Sequence, residues 1–244
     1  MNDVIALLQA HRSIRKFKPE ALSDAMIEQI VRCGQAAPTS SNIQATTVIR
    51  VRDAAKRARI AEVAGGQSYV AEAGAFLVFC ADLNRVRLAC AMQGAAFDGG
   101  MTERFVSATV DVALAAQNCA VAAEALGLGV CYIGAVRNDP QTVSELLELP
   151  ELVYPVFGMC LGWPGQAPEV KPRLPLSLVL RQDRYQDPGA LEGIKEYDRE
   201  LRAYYLTRSG GTKDSSWSEE MKAWAGRARP HLREFLARRG FTLK

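Results

Sequence analysis

Three short segments combine cationic, hydroxyl and amide side chains at spacings that suit an anionic ligand. The first is His11-Arg-Ser-Ile-Arg-Lys-Phe17, in which two arginines three residues apart flank a serine hydroxyl. Guanidinium and hydroxyl groups at this spacing can hold a phosphate through charge-assisted hydrogen bonds. Cations are also common at the exposed C-terminal end of a helix. The residues alone leave both interpretations open.

The other two segments have different compositions. Pro38-Thr-Ser-Ser-Asn-Ile-Gln44 concentrates hydroxyls and amides in one turn, and these groups can hydrogen-bond a polar heterocycle. Lys171-Pro-Arg-Leu-Pro175 places two cations on a backbone that proline stiffens, which lowers the entropy lost when an anion binds. A capped loop and a stiff surface linker explain these segments equally well. Together the three segments suggest several loops around one elongated anionic ligand.

Other chemistries lack the residues they need. The only two histidines, His11 and His231, are not in an H-E-x-x-H motif and have no cysteine or carboxylate at ligand spacing, so no metal site is expected. The sequence contains neither a G-x-S-x-G elbow nor a P-loop. Gly127-Leu-Gly129 follows a helical pattern and lacks the third glycine of a dinucleotide fingerprint.

Composition narrows the class of protein further. The chain has 244 residues, of which 48% are hydrophobic, enough for one sizeable core. A net charge of +3 does not demand a nucleic-acid partner. Six cysteines without a C-x-x-C pair indicate free thiols in a reducing compartment. Asp111 and Glu124 make the longest apolar stretch costly in a bilayer. We therefore expect a cytoplasmic protein with no membrane association and no bound nucleic acid.

Helical and strand patterns alternate along the first two thirds of the chain. Apolar periodicity and capping residues predict helices over 3–10, 23–37, 53–64 and 102–126, strands over 46–51, 76–81, 130–133 and 154–161, and a further helix opening at 138–140. The 102–126 helix is apolar on most sides, which is typical of a helix surrounded by other elements. The pattern predicts a three-layer α/β or α+β domain.

The chain becomes more polar after Pro168, with predicted helices near 190–206 and 219–239. The first of these carries a stripe of apolar side chains that needs cover, formed by Leu191, Ile194, Tyr197, Leu201 and Tyr204. A partner subunit could supply that cover. This part of the chain is therefore interpreted as an extension of the core, without a core of its own.

Taken in order, the segments resemble the nitroreductase superfamily, and within it the branch of oxygen-insensitive NADPH nitroreductases and flavin reductases. The shared segments cover nearly the whole chain: His11-Arg-Ser-Ile-Arg15, Ser40-Ser-x-x-Gln44, Gly65-Gly-Gln67, Ala115-Ala-Gln-Asn118, Gly127-Leu-Gly129, Tyr132-Ile-Gly134, Leu161-Gly-Trp-Pro164, Lys171-Pro-Arg-Leu-Pro175 and Tyr204-Tyr-Leu-Thr-Arg208. Each fragment is short, and their agreement in order carries the resemblance.

The resemblance implies an α+β fold, a nitroreductase-like three-layer sandwich with a central mixed sheet, a buried central helix and a C-terminal helical extension. Residues 1–184 would form the FMN-binding core. Residues 185–244 would form the extension, which belongs to the same domain and wraps the partner subunit of a homodimer.

The resemblance also implies roles for individual residues. FMN would be bound by His11, Arg12, Ser13, Arg15, Thr39, Ser40, Gln44, Gln67, Ile133, Gly134, Lys171 and Arg173. Arg208 would bind the NADPH phosphate, and Ser41, Tyr69, Lys213 and Arg229 are candidates for the substrate pocket. No side chain is expected to act as a catalytic acid or base, because the chemistry takes place on the flavin.

The implied activity is a ping-pong cycle in which NADPH reduces FMN and leaves, after which a nitroaromatic, quinone or similar acceptor takes two electrons. One alternative is an NADPH-dependent FMN reductase that supplies reduced flavin. A non-enzymatic alternative is a flavin-binding sensor. Turnover with different acceptors separates the three.

Overall fold

A computed structural model describes residues 2–244 of the chain. The chain divides into two compact units, one formed by the residues up to Ala167 together with Arg229–Lys244 and the other by Pro168–Ala228. The first unit contains the sheet and most of the helices. The second contains three helices. Each unit is described separately below.

The first unit contains four strands and eight α-helices among the described residues. In chain order they are α1 (Asp3–Gln9), α2 (Asp24–Gln35), β1 (Thr46–Arg50), α3 (Ala54–Val63), α4 (Tyr69–Glu72), β2 (Ala75–Asp82), α5 (Asn84–Met92), α6 (Thr102–Ala125), β3 (Gly129–Ile133), α7 (Pro140–Leu146), β4 (Val153–Gly162) and, after the second unit, α11 (His231–Arg238). Short 3-10 helices span Ser40–Asn42 and Gly134–Asn138.

The strands form one sheet in the order β1-β2-β4-β3, and neighbouring strands are antiparallel. In addition to these strand pairs, Ser13 forms an isolated parallel bridge to Val130 on β3. Every residue of β2 is buried, as expected of a continuous apolar run in the centre of a sheet. The sheet therefore carries a buried side-chain layer on each face.

Helices cover both faces of the sheet and make the three layers. One buried cluster contains side chains of α2, α6 and the sheet, and the other joins the opposite side of the sheet to α3 and α7. This arrangement confirms the three-layer α+β fold expected from the sequence. The predicted starts of two helices are also confirmed, because the side chains of Ser23 and Asp53 cap α2 and α3. The 84–101 connection, for which the sequence predicts no regular element, contains α5.

The long helix α6 buries one face and leaves another uncovered. Its buried face is made mostly of small residues, which allow close approach to the elements beneath. The uncovered face carries Val106, Val110 and Leu114, which are 47%, 49% and 40% exposed. In length and composition α6 resembles a membrane span. Its packing against α2 and the sheet is that of a core helix.

The second unit consists of α8 (Leu176–Val179), α9 (Ala190–Ser209) and α10 (Trp217–Ala225). It has a core of its own, in which Tyr197, Leu201, Tyr204 and Tyr205 pack against Leu174 and Trp217. The apolar stripe was interpreted above as a surface that a partner subunit could cover. That interpretation was wrong for the buried residues, because segments adjacent in the chain cover them.

The prediction of a single helix over 219–239 was also wrong. The structure has α10 and α11 in its place, and α11 begins directly after Pro230. Proline lacks a backbone N–H, and its ring clashes with the preceding turn, so a continuous helix through this position is disfavoured. Gly226 ends α10 and adds to the break. The two helices belong to different compact units.

Candidate functional site

The basic segment His11–Arg15 lies along the open edge of β3. The backbone N–H of Ile14 donates to the carbonyl of Val130 at 2.9 Å, and Ser13 forms the parallel bridge to the same residue. Ile14 is buried above Gly129, where an added Cβ would come within 2.7 Å of the Ile14 side chain. The absence of a side chain at Gly129 therefore permits this close approach.

The docking of Ile14 sets the direction of its neighbours. Alternate residues of an extended segment point to opposite sides, so a buried Ile14 leaves Ser13 and Arg15 on the other side. Ser13 is partly exposed and Arg15 is exposed. The hydroxyl and guanidinium groups predicted to bind phosphate are thus presented from a segment that the sheet holds in place.

Arg15 shares a neighbour with Gln67, a predicted ligand of the flavin ring. The Tyr69 hydroxyl donates to Oε1 of Gln67 at 2.8 Å. Burial, together with the nearby Cys131 thiol, raises the pKa of Tyr69, whereas a hydrogen bond with Arg15 opposes that shift. Tyr69 therefore links the basic segment to the Gly65-Gly-Gln67 turn. The structure brings these residues together beside β3.

The end of β3 contributes the next predicted ligands. Ile133 is buried and pairs with Gly158 on β4, and Gly134 opens the 3-10 helix that follows. An added Cβ at Gly134 would lie 3.2 Å from the Arg137 guanidinium. That guanidinium donates to the Val156 carbonyl, which fixes the turn at the end of the strand.

The loop containing Thr39, Ser40 and Gln44 has an unusual backbone. Ser41, Asn42 and Gln44 have φ values of 47°, 55° and 50°, in the left-handed region that non-glycine residues rarely adopt. Each such residue carries a conformational cost that surrounding contacts must offset. The loop is therefore held in its shape by other parts of the molecule.

The main anchor of this loop is Asp111, near the middle of α6. Its two carboxylate oxygens accept the backbone N–H groups of Ser40 and Ala45 at 3.1 and 3.3 Å. Asp111 is 1% exposed. Asp111 is not among the residues predicted for the site, although an aspartate in an apolar helix is a signal that the carboxylate needs hydrogen-bond partners.

The loop and the basic segment are anchored at different places on α6. His11 contacts Glu124, thirteen residues beyond Asp111 on the same helix. At 1.5 Å and 100° per residue, the two anchors are about 20 Å apart along the helix and point about 140° apart. Within one chain, Thr39, Ser40 and Ser41 are therefore not gathered with His11.

A cavity of about 440 Å³ lies beside the loop, with Thr39, Gln44 and Arg85 among its lining residues. Its volume falls within the range of small-molecule sites. The Thr46 hydroxyl, from another lining residue, is buried and has no hydrogen-bond partner among the described residues. Arg85 is anchored by the carbonyls of Gln44 and Thr46.

In the second unit, three cationic side chains that were predicted to bind ligands lie around a pair of tyrosines. The Nζ atoms of Lys171 and Lys213 lie 4.8 and 3.9 Å from the Tyr205 ring centroid. Nη1 of Arg208 donates to the Tyr204 hydroxyl at 3.1 Å. These cation–π contacts leave charged groups clustered at one place.

Three of the predicted site residues also form polar contacts within their own unit. Lys213 forms a 2.9 Å ion pair with Glu220, and this hydrogen bond raises the pKa of the lysine. Arg173 donates to the carbonyl of Lys171 at 2.6 Å. Arg229 belongs to the first unit, where it donates to the Asn138 side chain at 3.0 and 2.8 Å.

Two models of known protein families match the chain. A model described as "Nitroreductase family" matches residues 8–163, and one described as "Nitroreductase family, C-terminal domain" matches residues 171–244. The chain belongs to the nitroreductase family. This finding confirms the resemblance drawn from the sequence, and the two matches meet near the boundary between the compact units.

Relatives in the family match over almost their full length. An NADPH-flavin oxidoreductase of Vibrio harveyi is 43% identical, with 99% of each chain covered. An oxygen-insensitive NADPH nitroreductase of Salmonella typhimurium is 40% identical, with 100% of each covered. The solved structure of the Vibrio harveyi NADPH:FMN oxidoreductase complexed with NAD+ has a TM-score of 0.91 and 40% identity, with 100% of each chain covered.

Replacing Asp111 with asparagine should destabilise the protein by about 1 to 3 kcal/mol. The amide can accept one of the two backbone hydrogen bonds, but it turns an NH₂ group toward the other donor. The free energy of unfolding in urea measures the loss. Asp53→Asn is the matched control, because asparagine caps α3 as well as aspartate does. Equal losses in the two variants would contradict the anchoring role of Asp111.

Proposed function

We propose that this chain is an FMN-dependent NADPH oxidoreductase that reduces nitroaromatics, quinones or similar acceptors by two electrons. The observation that carries the proposal is the gathering of the basic segment, Gln67 and the end of β3 at one edge of the sheet. Membership of the nitroreductase family supports it, as do the activities for which the relatives are named.

The donor set along β3 fits FMN. Arg12, Ser13 and Arg15 supply the charged and hydroxyl donors that a phosphate monoester requires. Gln67 offers both a donor and an acceptor for the polar edge of a flavin ring. Lys171 and Arg173 stay predicted ligands of the same cofactor. When bound, FMN supplies the two-electron hydride chemistry, and the chain supplies binding, orientation and charge.

The second unit is proposed to bind NADPH. Arg208 is next to the Tyr204 hydroxyl, and Lys171 and Lys213 flank Tyr205. A guanidinium is well suited to the 2′-phosphate that distinguishes NADPH from NADH, because it presents a fork of donors at fixed charge. The relative from Salmonella typhimurium is named as an NADPH enzyme, which supports this preference.

We also propose that the protein is a homodimer. Val106, Val110 and Leu114 form an uncovered apolar stripe on a helix that otherwise packs as core. A second copy packed on this stripe would remove it from water. It would also bring another Thr39–Gln44 loop, which in one chain is anchored about 20 Å along α6 from the contact with His11. Cytoplasmic location stays a prediction from the sequence.

A second candidate function is the delivery of reduced FMN to another enzyme. The Vibrio harveyi relative is named an NADPH-flavin oxidoreductase, which favours a reaction with free flavin. The two functions share the first half-reaction and differ in the acceptor. Comparing turnover with free FMN against turnover with menadione and a nitrofuran separates them.

The proposal is tested with the purified protein. We expect it to bind FMN, to bleach the flavin absorption when NADPH is added without oxygen, and to regain it when menadione is added. Rapid NADPH consumption with an acceptor would exclude a sensor without turnover. A protein that bound no added FMN and did not oxidise NADPH would contradict the proposal.

Arg208→Ala should raise the KM for NADPH and leave the bound FMN content unchanged, because the guanidinium is proposed to bind the dinucleotide and not FMN. The KM for NADH should change little, since NADH has no 2′-phosphate. Arg199→Ala is the control, an exposed arginine on the same helix α9. An unchanged KM for NADPH would show that Arg208 is not the phosphate ligand.

Val110→Glu should shift the protein from dimer to monomer, because a carboxylate would be buried without a partner in the stripe. Sedimentation velocity at fixed protein concentration measures the shift. Leu88→Glu on α5 is the matched control, since Leu88 is 50% exposed and lies outside the stripe. A monomeric wild type, or a Val110→Glu dimer as tight as the wild type, would refute this interface.

A further inference from the structure

His11 and Glu124 form a close contact between the basic segment and α6. Nδ1 of His11 lies 2.7 Å from Oε1 of Glu124, although 113 residues separate them in the sequence. The side chains are 29% and 12% exposed. Within residues 2–244, Glu124 is the only hydrogen-bond partner that the structure gives to the His11 ring.

The position of Glu124 is unfavourable for the helix itself. It lies in the last turn of α6, which ends at Ala125, where the helix dipole disfavours a negative charge. It is also largely removed from water, and a partly buried ion pair is weak evidence for a role in stability. The contact therefore calls for an explanation other than helix formation.

Hydrogen bonding to Glu124 determines which ring nitrogen of His11 remains for a ligand. A carboxylate only accepts hydrogen bonds, so Nδ1 carries the proton that is donated to Glu124. Nε2 is then the ring nitrogen that can contact a ligand. A phosphate oxygen is also only an acceptor, so Nε2 must carry a proton to bind it. A ring that donates to Glu124 and to a phosphate oxygen at once carries a proton on both nitrogens.

We propose that Glu124 is a positioning residue that orients His11 and presents its Nε2–H to the phosphate monoester of FMN. This inference rests on the proposed function. His11 directly precedes Arg12 and Ser13, the donors proposed above for that phosphate. Glu124 acts through His11 and does not touch the ligand.

A double-mutant cycle tests the coupling. FMN and riboflavin, which lacks the phosphate, are titrated into the apoprotein of the wild type, His11→Ala, Glu124→Leu and the double variant. Glu124→Leu should weaken FMN binding by roughly tenfold to a hundredfold, the usual worth of a hydrogen bond to a charged group. Riboflavin binding should stay within about twofold, and the effect on FMN should vanish in the His11→Ala background.

Glu124→Gln separates orientation from charge. The glutamine oxygen can still accept from Nδ1, so the orientation of the ring should persist while the support of a full negative charge is lost. We expect FMN affinity between those of the wild type and Glu124→Leu. Glu103→Gln is the matched control, because Glu103 lies in the first turn of the same helix and contacts Ser107.

Nitrogen NMR gives a readout that a purely structural role would not change. The chain has two histidines, so His231 serves as the reference signal in the same sample. Nδ1 of His11 should be protonated in the wild type and in Glu124→Gln. Should Glu124→Leu fail to fold, the Glu124→Gln variant and this spectrum still decide the question.

The outcomes distinguish two failures. A wild type that binds neither FMN nor riboflavin would overturn the proposed function, and this inference with it. A wild type that binds FMN, but shows an unprotonated Nδ1 or an effect of Glu124→Leu that is undiminished in the His11→Ala background, would overturn the positioning role alone.

Discussion

Close packing of α6 against α2 and the sheet is the constraint on which the candidate site depends. The buried face of α6 is rich in alanine, and the small side chains let the neighbouring backbones approach. Two carboxylates of this helix hold other segments in place. Asp111 binds the strained loop, and Glu124 binds the basic segment. A larger side chain on the buried face would displace the helix and both anchors with it.

Each compact unit holds cationic side chains on packed structure of its own. The basic segment, Tyr69 and the end of β3 are attached to a sheet whose central strand is fully buried. The second unit carries its cations around a tyrosine pair with a core of its own. Because FMN performs the hydride chemistry in the proposed function, both units have the same task, which is to bind anionic groups at defined places.

Local features of the fold could be predicted from the sequence. Ser23 and Asp53 cap helices because a side-chain oxygen before a helix meets its own N–H groups a few residues later. The strand over 76–81 follows from a continuous apolar run. The break at Pro230 is also a local effect, because proline cannot continue the hydrogen bonding of a helix.

The anchors of the site could not be predicted in the same way. Asp111 meets Ser40 across 71 residues and Glu124 meets His11 across 113, and no local pattern selects such pairs. The packing of Leu174 and Trp217 against Tyr197 and Leu201 could not be predicted either. An amphipathic stripe shows that a helix needs a neighbour but does not identify that neighbour. The basic segment was identified as a motif, while its partner strand followed only from the structure.

The pairing of Ser13 with Val130 has a consequence for the order of folding. The two residues are 117 positions apart, so at roughly 5 to 20 residues per second β3 is synthesised about 6 to 23 seconds after the segment that docks on it. Until then the arginines have no strand to lie against, and closing so long a loop must precede any contact with it. The proposed FMN site can therefore form only after β3 has been synthesised.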